Sequence, residues 1–222
     1  MAAKLGLVLA ADPATTPSQR ARQERIVAAA LELAGEGGYD AVQMREVADK
    51  AGVALGTLYR YFPSKKHLLV AAMGRELTAM RDAVRVRGVG PEVAQERVLS
   101  VIVGVTEALA RNRNLSAAMV RAFMGADTSV AEDVDRVGTI MVEIISWATH
   151  GAEEPPTLQD AIVAGIIGKV WLFDIHAWLA DRMTIQDVKL DLAHTIATVI
   201  PADAMTAGAA STEAAAAATM KA

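Results

Sequence analysis

Residues 44–66 constrain the fold of this chain more than any other stretch, because their apolar positions describe two short helices separated by a tight turn. In the first helix the apolar residues recur at the three-and-four spacing of one helical face: Met44, Val47, Ala48 and Ala51. Gly52 interrupts the pattern, which restarts at Leu55, Leu58 and Phe62. This arrangement predicts a helix-turn-helix unit, whose second helix can lie in the major groove of DNA.

The charged residues of the same stretch favour DNA binding over a plain helical hairpin, which short apolar patterns also describe. Lys65 and Lys66 directly follow Pro63 and Ser64, and Ser64 is a suitable N-cap for a further helix. Cations in a first helical turn oppose the helix macrodipole, so local stability does not explain them. A DNA phosphate would explain these cations, because free backbone N–H groups and two ammonium groups could converge on it.

Residues 44–48 (MREVA) and 56–65 (GTLYRYFPSK) resemble the DNA-binding signature of the TetR family of bacterial repressors. The resemblance is strongest over residues 20–70, and the length and helical pattern fit the family to about residue 200. It implies two sets of contacts with operator DNA. The major-groove set is Arg45, Thr57, Tyr59 and Arg60, with Gly56 in the same signature, and the phosphate set is Tyr61, Lys65 and Lys66.

The composition of the 222-residue chain indicates a mostly helical protein. Hydrophobic residues make up 53% of it, prolines number seven, and no run alternates as a half-buried strand would. The absence of cysteine excludes disulfides and thiolate chemistry. The most apolar segment, residues 161–180, is interrupted by Lys169, Asp174 and His176, which favours a buried helix over a membrane span. We therefore predict an all-α cytoplasmic protein that does not enter a membrane.

The charge distribution suits a protein that touches nucleic acid with one end only. The formal net charge is −4, but residues 18–67 hold eight Lys and Arg against six Asp and Glu, whereas residues 68–222 hold thirteen against nineteen. Electrostatic affinity for DNA depends on the local patch rather than on the total. Because an excess of two positive charges is small, we expect a dimer with two DNA-binding heads.

Four segments follow from the order of the helical patterns. They are a disordered leader (residues 1–17), a three-helix DNA-binding domain with the helix-turn-helix (18–66), a larger helical effector-binding and dimerisation domain (67–200) and a disordered alanine-rich tail (201–222). The predicted helices cover about 19–34, 44–50, 55–62, 64–86, 92–111, 114–125, 129–150, 158–181 and 185–199.

No arrangement of residues in the sequence suits catalysis or metal binding. The four histidines lack metal-ligand spacing: His67, His150, His176 and His194. The sequence contains no nucleophile elbow, phosphate-binding loop or dinucleotide fingerprint. We therefore predict that the protein is not an enzyme and holds neither a metal nor a cofactor.

The segment 161–179 is hydrophobic on nearly every side, and such a helix needs neighbours on more than one flank. One flank can pack on the protein's own core, and we expect the other to pack on a partner chain. The alternative is a helix that is wholly internal in a monomer. The TetR resemblance implies that the last two helices pair with their copies in a four-helix interface. The predicted interface residues are Ile162, Ile166, Val170 and Trp178.

Methionine and aromatic side chains gather in the larger domain: Met119, Phe123, Met124, Met141, Trp147, Trp171 and Phe173. Such a set is either plain core or the lining of a chamber for a bulky apolar guest, since Met side chains adapt to irregular shapes. The TetR resemblance implies an effector cavity in this domain and favours the second interpretation.

A narrower resemblance covers nearly the whole helical body. Segments 37–39, 41–45, 56–65, 67–69, 111–112, 118–119, 121–122, 170–172 and 177–179 resemble the KstR-type repressors of sterol-catabolism genes. This resemblance implies an effector that is a sterol-derived coenzyme A thioester. Residues 123–125 and 173–176 depart from the pattern.

The resulting hypothesis is a homodimeric repressor of lipid or sterol catabolism genes that a hydrophobic small molecule releases from double-stranded operator DNA. The alternative is a helical lipid-binding or interaction protein without operator-specific DNA binding. A mobility-shift assay with DNA from around its own gene would separate the two.

Overall fold

The computed structural model describes residues 16–88 and 93–201, which form nine α-helices, one short 3-10 helix and no strand. The prediction of an all-α protein is confirmed. The helices are α1 (Pro17–Ala41), α2 (Met44–Ala51), α3 (Leu55–Tyr61), α4 (Lys65–Arg87), α5 (Ala94–Ala110), α6 (Arg113–Met124), α7 (Ala131–His150), α8 (Leu158–Leu179) and α9 (Ile185–Val199). The 3-10 helix, Thr128–Val130, directly precedes α7.

Helix α1 begins earlier than predicted, at the end of the expected leader. Thr16 and Gln19 form a capping box: the Gln19 N–H donates to Thr16 Oγ1 (3.3 Å) and the Thr16 N–H donates to Gln19 Oε1 (2.7 Å). Pro17 occupies the first helical turn, where its missing N–H has no cost. The prediction of disorder is therefore wrong for residues 16 and 17, while residues 1–15 and the tail from 202 lie outside the described residues.

The other predicted helices agree with the structure to within about three residues at each end. The predicted end of the first helix at the glycines is only partly right. Non-helical backbone does occur at Gly37 and Gly38, but a further helical turn continues beyond them to Ala41. Ser64 lies directly before α4, and its carbonyl accepts the Leu68 N–H (3.1 Å), as expected of the residue that starts this helix.

The described chain divides into two compact units, and this division differs from the predicted domain limits. Unit 1 comprises residues 16–78 and 111–140, and unit 2 comprises residues 79–88, 93–110 and 141–201. Helices α4 and α7 supply residues to both units. The limit predicted after residue 66 leaves α6 outside the DNA-binding domain, whereas in the structure α6 belongs to the same unit as α1, α2 and α3.

Unit 1 is built around α1, which packs against both α2 and α6. Its core consists of fully buried apolar residues from five helices, namely Ile26, Ala30, Val47, Leu58, Leu68, Leu69, Ala118 and Met119. The burial of Leu58 holds α3 on the unit by one face and leaves the other face outside. The core thereby fixes the direction in which the polar residues of α3 point.

Unit 2 is organised by α9, which packs against both α5 and α8. A buried hydrogen bond joins α8 to α5, because Trp171 Nε1 donates to Thr106 Oγ1 (2.9 Å). By length and composition α8 could also cross a membrane. Within the described chain, α8 also carries the buried polar residues Asp160 and Asp174 and packs on α9.

Candidate nucleic-acid interface

The turn between α2 and α3 depends on Gly52, which has left-handed backbone geometry (φ 64°). The Val53 N–H reaches back to the Ala48 carbonyl (3.0 Å), so the last turn of α2 is closed by its own backbone. A side chain at position 52 would be strained in this conformation. Gly52 therefore sets the angle at which α3 leaves α2, as the sequence pattern predicted.

Helix α3 presents one exposed stripe, made of Gly56, Tyr59 and Arg60. The Tyr59 side chain is 46% exposed. Neither Tyr59 nor Arg60 has a hydrogen bond or ion pair within the described chain, although the Arg60 guanidinium lies over the Tyr61 ring at 5.4 Å. Two large side chains that are neighbours on one short helix, both exposed and without a polar partner, are available to bind a ligand outside the protein.

Gly56 has no structural reason within unit 1 to be glycine. A Cβ atom built on it meets no atom within 4 Å, and its backbone does not have the positive φ that favours glycine. A residue with a side chain would strengthen the helix at this position. The missing side chain instead leaves room for a close approach to the α3 backbone from outside.

The remaining two residues of the predicted major-groove set flank this stripe. Arg45 is exposed on α2 and makes no hydrogen bond or ion pair to the described chain, whereas Thr57 is half-buried on α3. The structure thus presents Arg45, Gly56, Tyr59 and Arg60 on the surface of one unit.

Two of the three residues predicted to contact phosphates, Lys65 and Lys66, have partners within unit 1. Lys65 Nζ donates to the Tyr39 carbonyl (3.0 Å) and lies 4.6 Å from the centre of the Tyr39 ring. Lys66 Nζ forms an ion pair with Asp127 Oδ2 (2.9 Å). Both partners are remote in sequence, so each cation has a contact within unit 1 that a local pattern does not show. Burial lowers the pKa of Lys65.

Tyr61, the third residue of the phosphate set, is partly buried. Its hydroxyl is buried and has no hydrogen-bond partner in the described chain. A buried hydroxyl without a partner is unfavourable by about 1–3 kcal/mol. A contact between Tyr61 and a phosphate would supply the missing partner, but it requires the hydroxyl to reach the surface.

Four residues that the sequence reasoning missed surround the beginning of α4. The Tyr39 ring contacts two cations. The Arg121 guanidinium, on α6, lies 4.3 Å from the centre of the ring, and the Lys65 ammonium, on α4, also contacts it. Arg121 also pairs with Asp40 (3.1 Å). Asp127 and Ser129 hold Lys66 and His67, since His67 Nε2 lies 2.9 Å from the Ser129 carbonyl. These contacts join residues between 26 and about 80 positions apart, and no local pattern reveals them.

The seven predicted ligand residues are divided between the two units. Met119, Phe123 and Met124 belong to unit 1, and the other four belong to unit 2. Met124 and Phe173 are 53% and 62% exposed, so neither lines an enclosed chamber in the described chain. Met141 and Trp171 are buried in unit 2, and Trp147 lies 5.7 Å from Arg81 and 6.0 Å from Arg85.

Unit 1 contains a half-open cavity of about 250 Å³ lined by residues of α1, α4 and α7, with Phe62. Its lining combines apolar side chains with the ion pairs Arg75–Glu24 (3.5 Å) and Arg136–Asp133 (3.6 Å). Cavities for drug-sized ligands measure roughly 300–1,000 Å³. This cavity is therefore too small for a sterol joined to coenzyme A, and none of the predicted ligand residues lines it.

The predicted interface residues on α8 differ in their exposure. Ile162 and Ile166 are 49% and 39% exposed, Val170 is half-buried, and Trp178 is only 8% exposed. Trp178 therefore belongs to the core of unit 2 rather than to its surface. Four large apolar side chains exposed on α8 fall on one helical face, namely Leu158, Ile162, Ile166 and Phe173, and Leu190 is exposed on α9.

The sequence matches two described protein families. Residues 26–72 match "Bacterial regulatory proteins, tetR family", and residues 91–199 match "Tetracyclin repressor-like, C-terminal domain". The HTH-type transcriptional repressor KstR of Rhodococcus jostii (strain RHA1) is 43% identical over 190 residues, which cover 85% of this chain and 87% of that protein. The chain belongs to the TetR family of bacterial regulatory proteins. The resemblance seen in residues 44–65 is thereby confirmed, and unit 1 contains the helix-turn-helix of a transcriptional regulator.

Further TetR-family relatives agree in sequence and in fold. The KstR repressor of Mycobacterium tuberculosis (strain ATCC 25618 / H37Rv) is 43% identical over 191 residues, covering 84% of each chain. The crystal structure of a TetR transcriptional regulator from Rhodococcus sp. RHA1 matches with a TM-score of 0.75 and 36% identity, over 82% of this chain and 97% of that one. These relatives are transcriptional regulators rather than enzymes.

A more distant structure shares the fold alone. Thermus thermophilus FadR, a TetR-family repressor solved in complex with lauroyl-CoA, matches with a TM-score of 0.63 at 19% identity, over 81% of this chain and 95% of that one. The same helical scaffold therefore accommodates an acyl coenzyme A thioester in another protein.

Proposed function

We propose that this protein is a cytoplasmic homodimeric repressor of lipid or sterol catabolism genes that leaves its operator when a sterol-derived coenzyme A thioester binds. The observation that carries the proposal is the unpartnered stripe Gly56, Tyr59 and Arg60 on α3, in a chain similar to KstR repressors over most of its length. Exposed aromatic and arginine side chains on the second helix of a helix-turn-helix are suited to base edges in the major groove.

Arg45, Thr57, Tyr59 and Arg60 are proposed to face the major groove, with α3 close to the DNA at Gly56. Lys65, Lys66 and Tyr61 are proposed to contact phosphates on the flank of the same groove. For Lys66 this contact replaces Asp127 as the anionic partner, and for Tyr61 it satisfies a hydroxyl that lacks one. Lys65 is the weaker candidate, because its ammonium is already bound to the Tyr39 carbonyl.

A second copy of the chain is proposed to cover the exposed apolar face of α8 and α9. Four large apolar side chains on α8 and one on α9 are exposed there, and burial of each contributes roughly 1.5–3 kcal/mol. Gly165 and Gly168 lie on the same helix with open space at their Cβ positions, which allows a partner helix to come close. Phe173 belongs to this face rather than to the effector site.

The effector is proposed to bind in unit 2, where Met141, Trp147 and Trp171 remain from the predicted ligand set. The matched C-terminal family and the fold shared with a lauroyl-CoA complex support a coenzyme A thioester. The resemblance to KstR-type repressors of sterol-catabolism genes favours a sterol-derived acyl group over a fatty acyl group. Helix α4 supplies residues to both units and is proposed to carry the change toward the head.

The proposed function is tested by measuring DNA binding and then the effect of DNA on ligand binding. DNA from around the protein's own gene is first tested for specific binding by mobility shift. Sterol-derived and fatty acyl coenzyme A thioesters are then titrated with and without that DNA. A tenfold loss of DNA affinity requires about 1.4 kcal/mol of coupling, and operator must weaken effector binding by the same factor.

The outcomes separate the proposed parts of the function. Ligand affinity that is unchanged by operator removes the inducer role, even for a tight ligand. A preference for fatty acyl thioesters removes the sterol assignment alone. Failure to bind any DNA specifically would favour a helical lipid-binding protein instead.

A further inference from the structure

The first turn of α4 is held by three separate contacts, one from each of its first three residues. Lys65 Nζ donates to the Tyr39 carbonyl (3.0 Å), Lys66 Nζ binds Asp127 Oδ2 (2.9 Å), and His67 Nε2 lies 2.9 Å from the Ser129 carbonyl. All of these residues belong to unit 1. The segment after α6 therefore reaches the same turn that is proposed to approach DNA phosphates.

Asp127 is held in place by Ser129, independently of its contact with Lys66. Its Oδ1 atom accepts hydrogen bonds from the Ser129 N–H (3.0 Å) and the Ser129 hydroxyl (2.6 Å), as the N-cap of the 3-10 helix. Its Oδ2 atom is left for the Lys66 ammonium. The hydrogen bond from Lys66, followed by those from Ser129, holds the pKa of Asp127 well below its usual range, so the carboxylate stays charged.

The Lys66–Asp127 pair differs from the two contacts beside it. Lys65 and His67 bind backbone carbonyls, so these contacts keep the turn attached whether or not a carboxylate is present. The ion pair is exposed to solvent, with 35% of the Lys66 side chain and 57% of the Asp127 side chain accessible. Exposed ion pairs of this kind contribute little to stability, so the fold does not require the charge of Asp127.

A DNA phosphate offers the Lys66 ammonium the same chemistry as a carboxylate, namely an anionic oxygen at hydrogen-bond distance. Two anions held at one ammonium repel each other, so Asp127 and a phosphate compete for Lys66. We propose that Asp127 is an intramolecular competitor of DNA for Lys66, which lowers the affinity of the head for DNA of every sequence. This inference rests on the proposed phosphate contact of Lys66.

The test is the Asp127→Asn variant, measured by fluorescence anisotropy against operator and against random DNA over a range of salt concentrations. Asparagine keeps the acceptor for the Ser129 N–H and removes both the charge and the second oxygen, which binds Lys66. We expect operator and random DNA to be bound several-fold more tightly, on the order of three- to tenfold at low salt. The ratio between the two affinities should stay constant, because phosphate contacts carry no sequence information.

Two controls separate competition from a general gain in positive charge. Glu132, five positions after Asp127, is exposed and has no ion pair in the described chain. Glu132→Gln therefore removes an equal charge but should change DNA affinity less. Asp127→Asn should give no gain in a Lys66→Gln background, because the contested ammonium is absent. An equal gain in that background, or no gain in the native background, would overturn the proposal.

The Lys66→Gln variant by itself separates this inference from the proposed DNA contacts. It should reduce the slope of log affinity against log salt by about one unit per head. An unchanged slope removes the phosphate contact of Lys66 and the competition together. A reduced slope without any effect of Asp127→Asn removes the competition alone. Thermal unfolding of each variant checks that the head remains folded.

Discussion

At the scale of single residues, the absence of a side chain at Gly56 is as informative as the side chains around it. The position is exposed, its added Cβ would meet no atom, and its backbone angles are open to any residue. Alanine would be preferred there for helix stability alone. The most direct physical reason for glycine is close contact with a surface outside the described chain.

Gly56→Ala should therefore separate stability from function. We expect the free energy of unfolding to rise by up to about 1 kcal/mol, because alanine loses less backbone entropy on folding than glycine does. DNA affinity should fall, because the new methyl group lies in the space that DNA needs. Denaturant unfolding and fluorescence anisotropy measure the two effects.

Gly138→Ala is the matched control, since Gly138 is also exposed, helical and open at its Cβ position. It should stabilise unit 1 without changing DNA affinity. If Gly56→Ala left operator binding intact, α3 would not approach the DNA at this residue.

Arg60 is the residue whose loss should affect specificity most directly. Its side chain is exposed and makes only a ring contact with Tyr61. Arg60→Ala should weaken operator binding by roughly 1–3 kcal/mol and random DNA binding much less, with the thermal midpoint unchanged. Arg87→Ala, at the exposed end of α4, serves as the control for loss of charge. Equal affinity of Arg60→Ala and the native protein for operator would exclude Arg60 from the groove.

At the scale of elements, the beginning of α8 shows how one carboxylate fixes a helix end. Asp160 Oδ2 accepts hydrogen bonds from the Thr157 N–H and the Thr157 hydroxyl (both 2.7 Å) and lies 3.2 Å from His150 Nε2. These contacts close the loop that joins α7 to α8. Burial raises the pKa of Asp160, but the hydrogen bonds from Thr157 and His150 outweigh it, so the pKa lies below its ordinary value of 3.8.

The lowered pKa of Asp160 predicts a defined pH dependence of stability. The ionised carboxylate contributes stability above its unfolded-state pKa, and this contribution disappears as the pH falls through the lower folded-state pKa. Asp160→Asn should therefore be less stable than the native protein at pH 7, and the difference should shrink in acid. Urea unfolding at a series of pH values measures the difference.

Glu153→Gln is the control, because Glu153 is an exposed carboxylate of the same loop without a hydrogen bond in the described chain. It should leave the stability curve of the native protein nearly unchanged. A stability difference between Asp160→Asn and the native protein that stayed constant from pH 7 into strong acid would mean that the charge of Asp160 contributes nothing.

At the scale of the whole molecule, the outer face of α8 is the proposed contact through which two copies of the chain present two heads to one operator. Helix-turn-helix dimers bind two half-sites related by the same two-fold symmetry as the protein. Ile166 is exposed on this face, whereas Trp178 on the same helix is enclosed by unit 2. Substitution of these two residues should therefore have different consequences.

Ile166→Asp should give a folded monomer, because the charge is buried only when the second copy binds. Trp178→Asp should unfold unit 2, since it places an unpaired charge in the core at a cost of several kcal/mol. Light scattering after size exclusion and circular dichroism measure mass and helicity. Val86→Asp, at a position 89% exposed, should remain a folded dimer. A dimer of Ile166→Asp with native affinity would place the interface elsewhere.

Local signals were sufficient for most of the helices and for the helix-turn-helix, whereas the major-groove contacts remain a prediction. The three-and-four spacing of apolar residues located the helices, and the signature around Gly56 marked α3, because both features are short in sequence. The start of α1 was missed although Thr16, Pro17 and Gln19 form a recognisable capping box. The ligand residues could not be placed, because methionines and aromatics identify apolar surroundings but not whether these enclose a cavity.

The sequence by itself determined the helices, the turn at Gly52 and membership of the TetR family, because each depends on residues that are neighbours along the chain. Only the tertiary structure decided that α6 joins the DNA-binding unit and that Asp127 holds Lys66 across 61 positions. It also decided that Ile166 lies outside and Trp178 inside on one helix. A helix that is apolar on all sides can bury any flank, and the choice of flank is made by the helices that pack against it.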